Sequence, residues 1–191
     1  MPNITRESTV EEVAAIVSNA LENAGIMATL SGGSAVTIYS NNQYLSRDLD
    51  FVTSAMVDDL KPVLERLGFE HAGVPRLSQF SHPSVEWYVE FPPSPLSFGH
   101  LHVNPEDCAV IELPVGKLRI ITPTQSVMDR LAAAYAWKDE QSRDQAIVVA
   151  ANQDIDWEAL KVWFANEGES EDEWRHFEDV VAARKRRRAD T

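Results

Sequence analysis

Two aspartates in the first half of the chain have the spacing of a cation site. Asp48 and Asp50 stand in an apolar frame that includes Leu49 and Phe51. On a β-strand, residues i and i+2 share a face about 6.6 Å apart, so both carboxylates point together while the apolar side chains enter the core. Carboxylates placed there without a function would carry a desolvation cost. Because Mg²⁺ and Mn²⁺ prefer carboxylate and phosphate oxygens, the pattern predicts a divalent metal site at Asp48 and Asp50.

A glycine pair upstream has the composition of a phosphate-binding turn. Gly32, Gly33 and Ser34 follow an apolar stretch at residues 26–30. Glycine at a strand-to-helix turn lets backbone N–H groups approach phosphate oxygens, and the start of the next helix adds partial positive charge. A glycine pair alone is typical of a tight turn, and two acids alone are typical of a solvated strand face. Their combination favours a nucleotide site to which both contribute.

These residues need α/β elements to position them. Helical spacing of apolar residues after Ser8 or Thr9 predicts a first helix that ends at Gly25. Pro62 indicates that the helix within residues 56–67 begins near Lys61, because proline is tolerated in the first turn. The pattern is weak over residues 69–83. Strands are expected at residues 26–30, 47–53, 85–91, 110–113 and 117–121, with a short helix at residues 35–39.

The pattern becomes helical after residue 121. Thr122 or Thr124 can cap a helix that begins around Pro123. Further helices are expected at residues 147–151, 157–165 and 171–187. The sequence therefore predicts an α/β domain at residues 1–121 and a C-terminal helical part at residues 122–191 packed on it.

The glycine turn and the paired aspartates together resemble the nucleotidyltransferase superfamily with the DNA polymerase β-like fold. Its signature is a glycine pair before a short helix, an acid-hydrophobic-acid strand, and a third acid on a neighbouring strand. Residues 32–34 match the first element and residues 48–50 the second. We favour Glu90 as the third acid because it lies near the strand end that Pro92 terminates. Glu86 is the alternative, since it shares a strand face with Glu90.

The resemblance implies a mixed β-sheet flanked by helices and a metal-dependent transfer of a nucleoside monophosphate from an NTP to a hydroxyl. Asp48 and Asp50 would hold Mg²⁺ or Mn²⁺, Glu90 would be the third catalytic carboxylate, and the glycine turn would bind the β and γ phosphates. The acceptor stays open among a transfer RNA end, a protein side chain and a small alcohol such as an aminoglycoside. The alternative function is a catalytically inactive nucleotide- or protein-binding module in a toxin–antitoxin-like pair.

Within that superfamily the chain looks most like the AbiEii-type and related small bacterial nucleotidyltransferases, several of which are linked to toxin–antitoxin systems. This resemblance rests on residues 46–52 and on the helical C-terminal part. Tyr44 stands four positions before the first aspartate, where that family often has a basic residue. Lys138 or Arg130 would have to compensate, and we take Lys138 as the nucleotide-binding residue.

The composition restricts the binding partners and the cellular location that we expect. A net charge of -13 opposes nonspecific binding to nucleic acid, although residues 184–188 form a run of five cations. That run favours a solvated helix end whose charges complement the helix dipole. A single cysteine excludes an intramolecular disulfide. Because no apolar run approaches the ~20 residues needed to span a bilayer, we expect a cytoplasmic protein with no membrane partner.

Overall fold

The computed structural model describes residues 3–73 and 78–189, which form two compact units. Unit 1 contains the chain up to Ala35, Ser46–Leu96 and Val103–Ile121. Unit 2 contains Val36–Leu45, Ser97–His102 and the chain from Thr122 onward. Two short segments before residue 121 therefore belong to unit 2. The predicted domains, residues 1–121 and 122–191, stay a prediction.

Nine strands and seven α-helices make up the described fold. The strands, in chain order, are β1 (Thr29–Ser31), β2 (Asp48–Val52), β3 (Glu70–His71), β4 (Gln79–Ser81), β5 (Tyr88–Glu90), β6 (Ser97–Phe98), β7 (Leu101–His102), β8 (Ala109–Leu113) and β9 (Gly116–Ile120). The helices are α1 (Val10–Asn23), α2 (Gly32–Tyr39), α3 (Val57–Glu65), α4 (Pro123–Trp137), α5 (Glu140–Asn152), α6 (Trp157–Asn166) and α7 (Glu171–Ala189).

Unit 1 is built on one seven-stranded mixed sheet. Its strand order is β3-β4-β5-β2-β1-β9-β8. β2 runs parallel to β5, and β1 runs parallel to β9, while the remaining neighbours are antiparallel. The predicted α/β class, with a mixed sheet and a helical C-terminal part, is confirmed. β2, which carries the paired aspartates, is an interior strand with a neighbour on each side.

Helix α1 begins where the sequence predicts and packs against β9. The Thr9 hydroxyl accepts a hydrogen bond from the Glu12 N–H, and the Glu12 carboxylate accepts one from the Thr9 N–H. This reciprocal cap satisfies two amides that the first turn of a helix leaves unpaired. Val13 and Val17 on the same helix are fully buried, which stabilises the fold by about 1.5–3 kcal/mol each.

Helix α3 begins at Val57, so the predicted start near Lys61 is wrong. Pro62 therefore lies inside the helix, and its nitrogen cannot donate a hydrogen bond to the Asp58 carbonyl one turn earlier. Asp58 is exposed, so water can satisfy that carbonyl instead. Burial of Leu60 and Leu64 holds the helix in place despite the lost bond.

Several other strands and helices begin at residues that differ from the prediction. β3 and β4 pair as a hairpin in the stretch where the sequence pattern is weak, because strands of two and three residues are too short to show a period of two. Helix α2 starts at Gly32 itself rather than at residue 35. Helix α5 starts at Glu140 rather than at residue 147, because the Asp139 side chain caps it by accepting from the Gln141 N–H.

Unit 2 contains the four C-terminal helices and the two-stranded β6–β7 ribbon. Its core is aromatic, with Phe164, Trp174 and Phe177 nearly inaccessible and Trp163 donating its Nε1 hydrogen to the Phe98 carbonyl at 3.0 Å. Trp137, at the end of α4, is instead 81% exposed. Among the residues the structure describes, no helix has the length and apolarity to cross a membrane.

The single cysteine lies in unit 1, directly after a short 3-10 helix at Pro105–Asp107. The thiol of Cys108 is half-buried and lies 3.7 Å from the Asn104 carbonyl oxygen. Burial raises the pKa of this thiol to about 11. Because only the thiolate is a good nucleophile, Cys108 is chemically quiet at neutral pH.

Candidate functional site

The two aspartates lie on one face of β2, as their spacing predicts. Leu49 and Phe51, which alternate with them, are fully buried, while Asp48 and Asp50 are only partly covered. An interior strand with one apolar and one acidic face presents both carboxylates in the same direction. The structure therefore brings together the two residues that the sequence predicts as metal ligands.

The pairing of β2 with β5 places Glu90 beside the aspartates. The register sets Asp50 opposite Glu90 and Asp48 opposite Tyr88. Neighbouring strands lie about 4.8 Å apart, so side chains opposite each other in a parallel pair share a face at close range. Glu86 lies before β5 and instead forms a 3.6 Å ion pair with Arg47, with both side chains about two-thirds exposed or more. The geometry favours Glu90 over Glu86 as the third acid.

The acids influence one another electrostatically. Burial, together with the negative charge of Asp48, raises the pKa of Glu90, and a hydrogen bond from Gln79 opposes the shift. That bond joins Gln79 Nε2 to Glu90 Oε1 at 2.8 Å. A hydrogen bond to Asp48, followed by burial and the nearby carboxylates, raises the pKa of Tyr88 to about 12. Negative charge therefore accumulates on this face, and a bound cation would relieve it.

Gly32 brings the turn against the second aspartate. Its φ of +65° lies in the left-handed region, which glycine adopts without strain. A Cβ at this position would overlap Asp50 Oδ2 and lie 3.2 Å from Asp50 Cγ. Glycine is therefore required at residue 32 both by the backbone conformation and by the close approach of the carboxylate.

Ser34 ties the start of α2 to β2. Its hydroxyl donates a hydrogen bond to the main-chain carbonyl of Asp48, and the side chain is fully buried. Gly32 is also buried, whereas Gly33 is only partly buried. Of the three residues predicted to bind nucleotide, Gly33 thus has the most accessible backbone, and the Ser34 hydroxyl already has a structural partner.

The predicted phosphate-binding cations belong to unit 2. Lys138 is exposed and caps α4 in a left-handed conformation, with a φ of 53°. The guanidinium of Arg130 is held at 2.7 Å by Asp129, and it also donates to Gln145 at 3.5 Å. Lys138 is therefore less constrained than Arg130, and its role in nucleotide binding stays a prediction.

Sequence reasoning missed two residues that shape the carboxylate face. Gln79 lies on β4, within the stretch that showed no strand pattern. Tyr88 stands two residues before Glu90 in the predicted strand at residues 85–91, so this spacing could have identified Tyr88 as part of the same face. Both side chains hydrogen-bond to a candidate catalytic acid and so orient it.

The donor chemistry fits a divalent metal, although a complete ligand set is not preassembled. In the described ranges, 3–73 and 78–189, no three His, Cys, Asp or Glu side chains are arranged to hold an ion. The carboxylates of Asp48 and Asp50 nevertheless provide the hard oxygen donors that Mg²⁺ prefers, and this ion commonly completes its coordination with water and substrate phosphate oxygens.

Comparison with known proteins supports the fold at low sequence similarity. No protein-family model and no curated protein matches the chain. A solved structure of the antibiotic-resistance factor ANT(2'')-Ia, an aminoglycoside nucleotidyltransferase, matches with a TM-score of 0.51 and 13% sequence identity. The match covers 95% of this chain and 97% of that one. The chain therefore has a nucleotidyltransferase fold, while its resemblance to the AbiEii type stays a prediction.

Proposed function

We propose that this chain is a metal-dependent nucleotidyltransferase that moves a nucleoside monophosphate from an NTP to a hydroxyl acceptor. The observation that carries the proposal is the contact of the Gly32 turn with Asp50, which itself lies in register with Glu90. A turn able to hold phosphate and a face able to hold a cation are thus adjacent within unit 1. The similarity to ANT(2'')-Ia supports the same reaction class.

Asp48 and Asp50 would hold Mg²⁺ or Mn²⁺. Such an ion, when bound, neutralises charge on the phosphates that it contacts. The hydrogen bond from the Ser34 hydroxyl to the Asp48 carbonyl fixes the distance between the turn and the metal-binding strand. The accessible backbone of Gly33, at the N-terminus of α2, would then donate to the β and γ phosphates.

Glu90 is the candidate proton acceptor. The acceptor oxygen would form a bond to the α-phosphorus while the bond from that phosphorus to the β-phosphate oxygen breaks. Pyrophosphate leaves, and the hydroxyl proton passes to the Glu90 carboxylate. The raised pKa of Glu90 suits this role, because a more basic carboxylate takes up a proton more readily.

Substitution of the aspartates tests the proposal. Asp48→Asn and Asp50→Asn should each lower transfer of labelled NMP by at least about a hundredfold, since each removes a carboxylate that would hold the cation needed to neutralise the reacting phosphates. Asp58→Asn, at an exposed position on α3, is the matched control and should retain transfer. The assay supplies each labelled NTP with Mg²⁺ or Mn²⁺ and a cell extract containing RNA, protein and small alcohols.

The absence of a preassembled three-acid group among the described residues gives weight to the alternative, a catalytically inactive nucleotide- or protein-binding module. Such a module would gain thermal stability with NTP but would transfer no label. If neither transfer nor stabilisation occurred with any NTP, nucleotide binding itself would be ruled out. Among the acceptors, the similarity to ANT(2'')-Ia supports a small alcohol, and the transfer RNA and protein classes are separated by the same assay.

A further inference from the structure

A basic groove lies within unit 2, away from any role proposed so far. It is a cavity of about 490 Å³ between α5 and α7, and Arg184, Arg187 and Arg188 line one wall. Gln43 and Asp144 contribute the polar groups of the facing wall. The groove therefore carries three guanidinium groups against a single carboxylate, in a chain whose net charge is -13.

The arginines of the groove share one helical face. Positions i, i+3 and i+4 are neighbours on a helix surface, and Arg184 and Arg188 are about 6 Å apart along the axis. Arg188 donates to the Ala151 carbonyl at 3.4 Å, which holds its side chain against α5. Lys185 points elsewhere, with its ammonium 5.5 Å from the centre of the Trp157 ring. The run of five cations is thus divided, with three of its members lining one concavity.

The helix dipole does not account for the whole cluster. Its effect fades within the last turn, and that turn contains the arginines at positions 186, 187 and 188. Arg184 lies further from the end of α7 and lines the same groove. Arg184 and Arg188 also form no ion pair with any residue in the described part of the chain. These cations are available to a ligand.

The groove matches phosphodiester chemistry. Guanidinium groups form paired hydrogen bonds with phosphate oxygens, and a cavity of about 490 Å³ can hold a short part of one strand but not a duplex. None of the strongly exposed large apolar side chains among the described residues lies on α7, so this helix has no group suited to enter a lipid bilayer. We propose that the groove formed by Arg184, Arg187 and Arg188 binds the phosphate backbone of a single-stranded nucleic acid.

Salt dependence provides the first test. A fluorescent single-stranded oligonucleotide of about 16 residues should bind the full chain at low salt, in EDTA and without NTP. If three phosphates are neutralised, affinity should fall by about 20-fold between about 50 and 200 mM salt. RNA and DNA versions separate the two sources of the same backbone. Because the assay contains neither metal nor NTP, its outcome is independent of nucleotidyl transfer.

Two double variants of equal charge make the test specific. Arg184→Gln/Arg188→Gln should lower affinity by about tenfold at low salt and flatten the logarithmic salt slope by about 1.4. Lys185→Gln/Arg186→Gln removes the same charge from the same helix outside the groove and should change affinity by less than about threefold. Circular dichroism and melting curves verify that both variants are folded.

Three results would overturn the assignment. They are the absence of oligonucleotide binding by the unmodified chain at low salt, equal losses in the two double variants, and preferential binding to phosphatidylserine vesicles or to a polyglutamate peptide. Equal losses would identify general attraction by charge rather than a groove. Preference for vesicles or peptide would assign the cations to a different class of partner.

Discussion

The carboxylate face of unit 1 and the arginine groove of unit 2 are assembled in opposite ways. Asp50 and Glu90 come from separate strands and meet only because β2 and β5 pair in one register. The arginines of the groove come from a single stretch of α7, where helical geometry alone aligns them. A site built across strands depends on the backbone that holds it, whereas a site on one helix face depends mainly on its side chains. The two regions should therefore respond differently to substitution.

The largest effect on stability is expected at the turn of unit 1. Gly32→Ala should lower the free energy of unfolding by about 3 kcal/mol, because the new Cβ combines left-handed strain with displacement of the Asp50 carboxylate. Urea denaturation measures this loss. NTP-induced stabilisation should also decrease, since the phosphate turn and the metal-binding acid both move.

Gly25→Ala is the matched control for that substitution. Gly25 has a φ of +77°, but no atom lies within 4 Å of the position that its Cβ would take. Its loss should be confined to backbone strain, about 1 kcal/mol. Equal losses at the two glycines would show that the contact of Gly32 with Asp50 has no energetic weight.

A smaller effect on folding stability, which depends on pH, is expected from substitution of Glu90. Its pKa is raised by burial and by Asp48, so the protonated carboxyl stabilises the folded state below the unfolded pKa, and this stability is lost as pH rises through the folded pKa. Glu90→Gln stays neutral and should be more stable than the unmodified chain at pH 7, with the difference disappearing at acid pH, where the Glu90 carboxyl is protonated in both the folded and the unfolded state. Melting curves across this range measure it, and transfer activity should fall in the same variant.

Glu86→Gln is the comparison for Glu90→Gln, because Glu86 is the other candidate for the third acid. Glu86 pairs with Arg47 at an exposed position, where an ion pair contributes about 1 kcal/mol or less. The variant should be unchanged or slightly less stable at pH 7 and should retain transfer. Loss of transfer in Glu86→Gln but not in Glu90→Gln would reverse our choice of third acid.

The smallest effect on the free energy of unfolding is expected from substitutions in the groove of unit 2. Arg184→Gln/Arg188→Gln should change the free energy of unfolding by only about 0.5 kcal/mol, since the exposed arginines form no ion pair within the described residues. Urea denaturation again provides the measurement. A loss as large as that of Gly32→Ala would mean that the groove holds the helices of unit 2 together, contrary to its proposed role in binding.

Local rules predicted much of this molecule. The i, i+2 spacing placed Asp48 and Asp50 on one face, and Thr9 and Thr122, each one of two candidate caps in the sequence, cap the first helix and α4. Each of these features involves residues within one turn or one strand. Their geometry is fixed by neighbours along the chain, which a single sequence displays directly.

Features that depend on pairing between distant segments were not predictable. Glu86 and Glu90 share a face of the predicted strand at residues 85–91, and the structure separates them because β5 begins only at Tyr88 and sets Glu90 opposite Asp50 of β2. The β3–β4 hairpin is short and held by the burial of Phe80, so its strands carry no alternating pattern of their own. The start of α3 was predicted four residues too late because local rules penalise a proline inside a helix. In the structure the packing of α3 compensates for the hydrogen bond that Pro62 cannot form.

The unreactive thiol of Cys108 can be used to measure how often the surrounding segment opens. With a pKa of about 11, about one thiol in a thousand is ionised at pH 8, and partial burial limits the approach of a reagent. Alkylation should therefore be slow in the intact chain and rapid once the surrounding segment opens. Since this is the only cysteine in the sequence, the alkylated mass fraction counts opened molecules directly, with no engineered label.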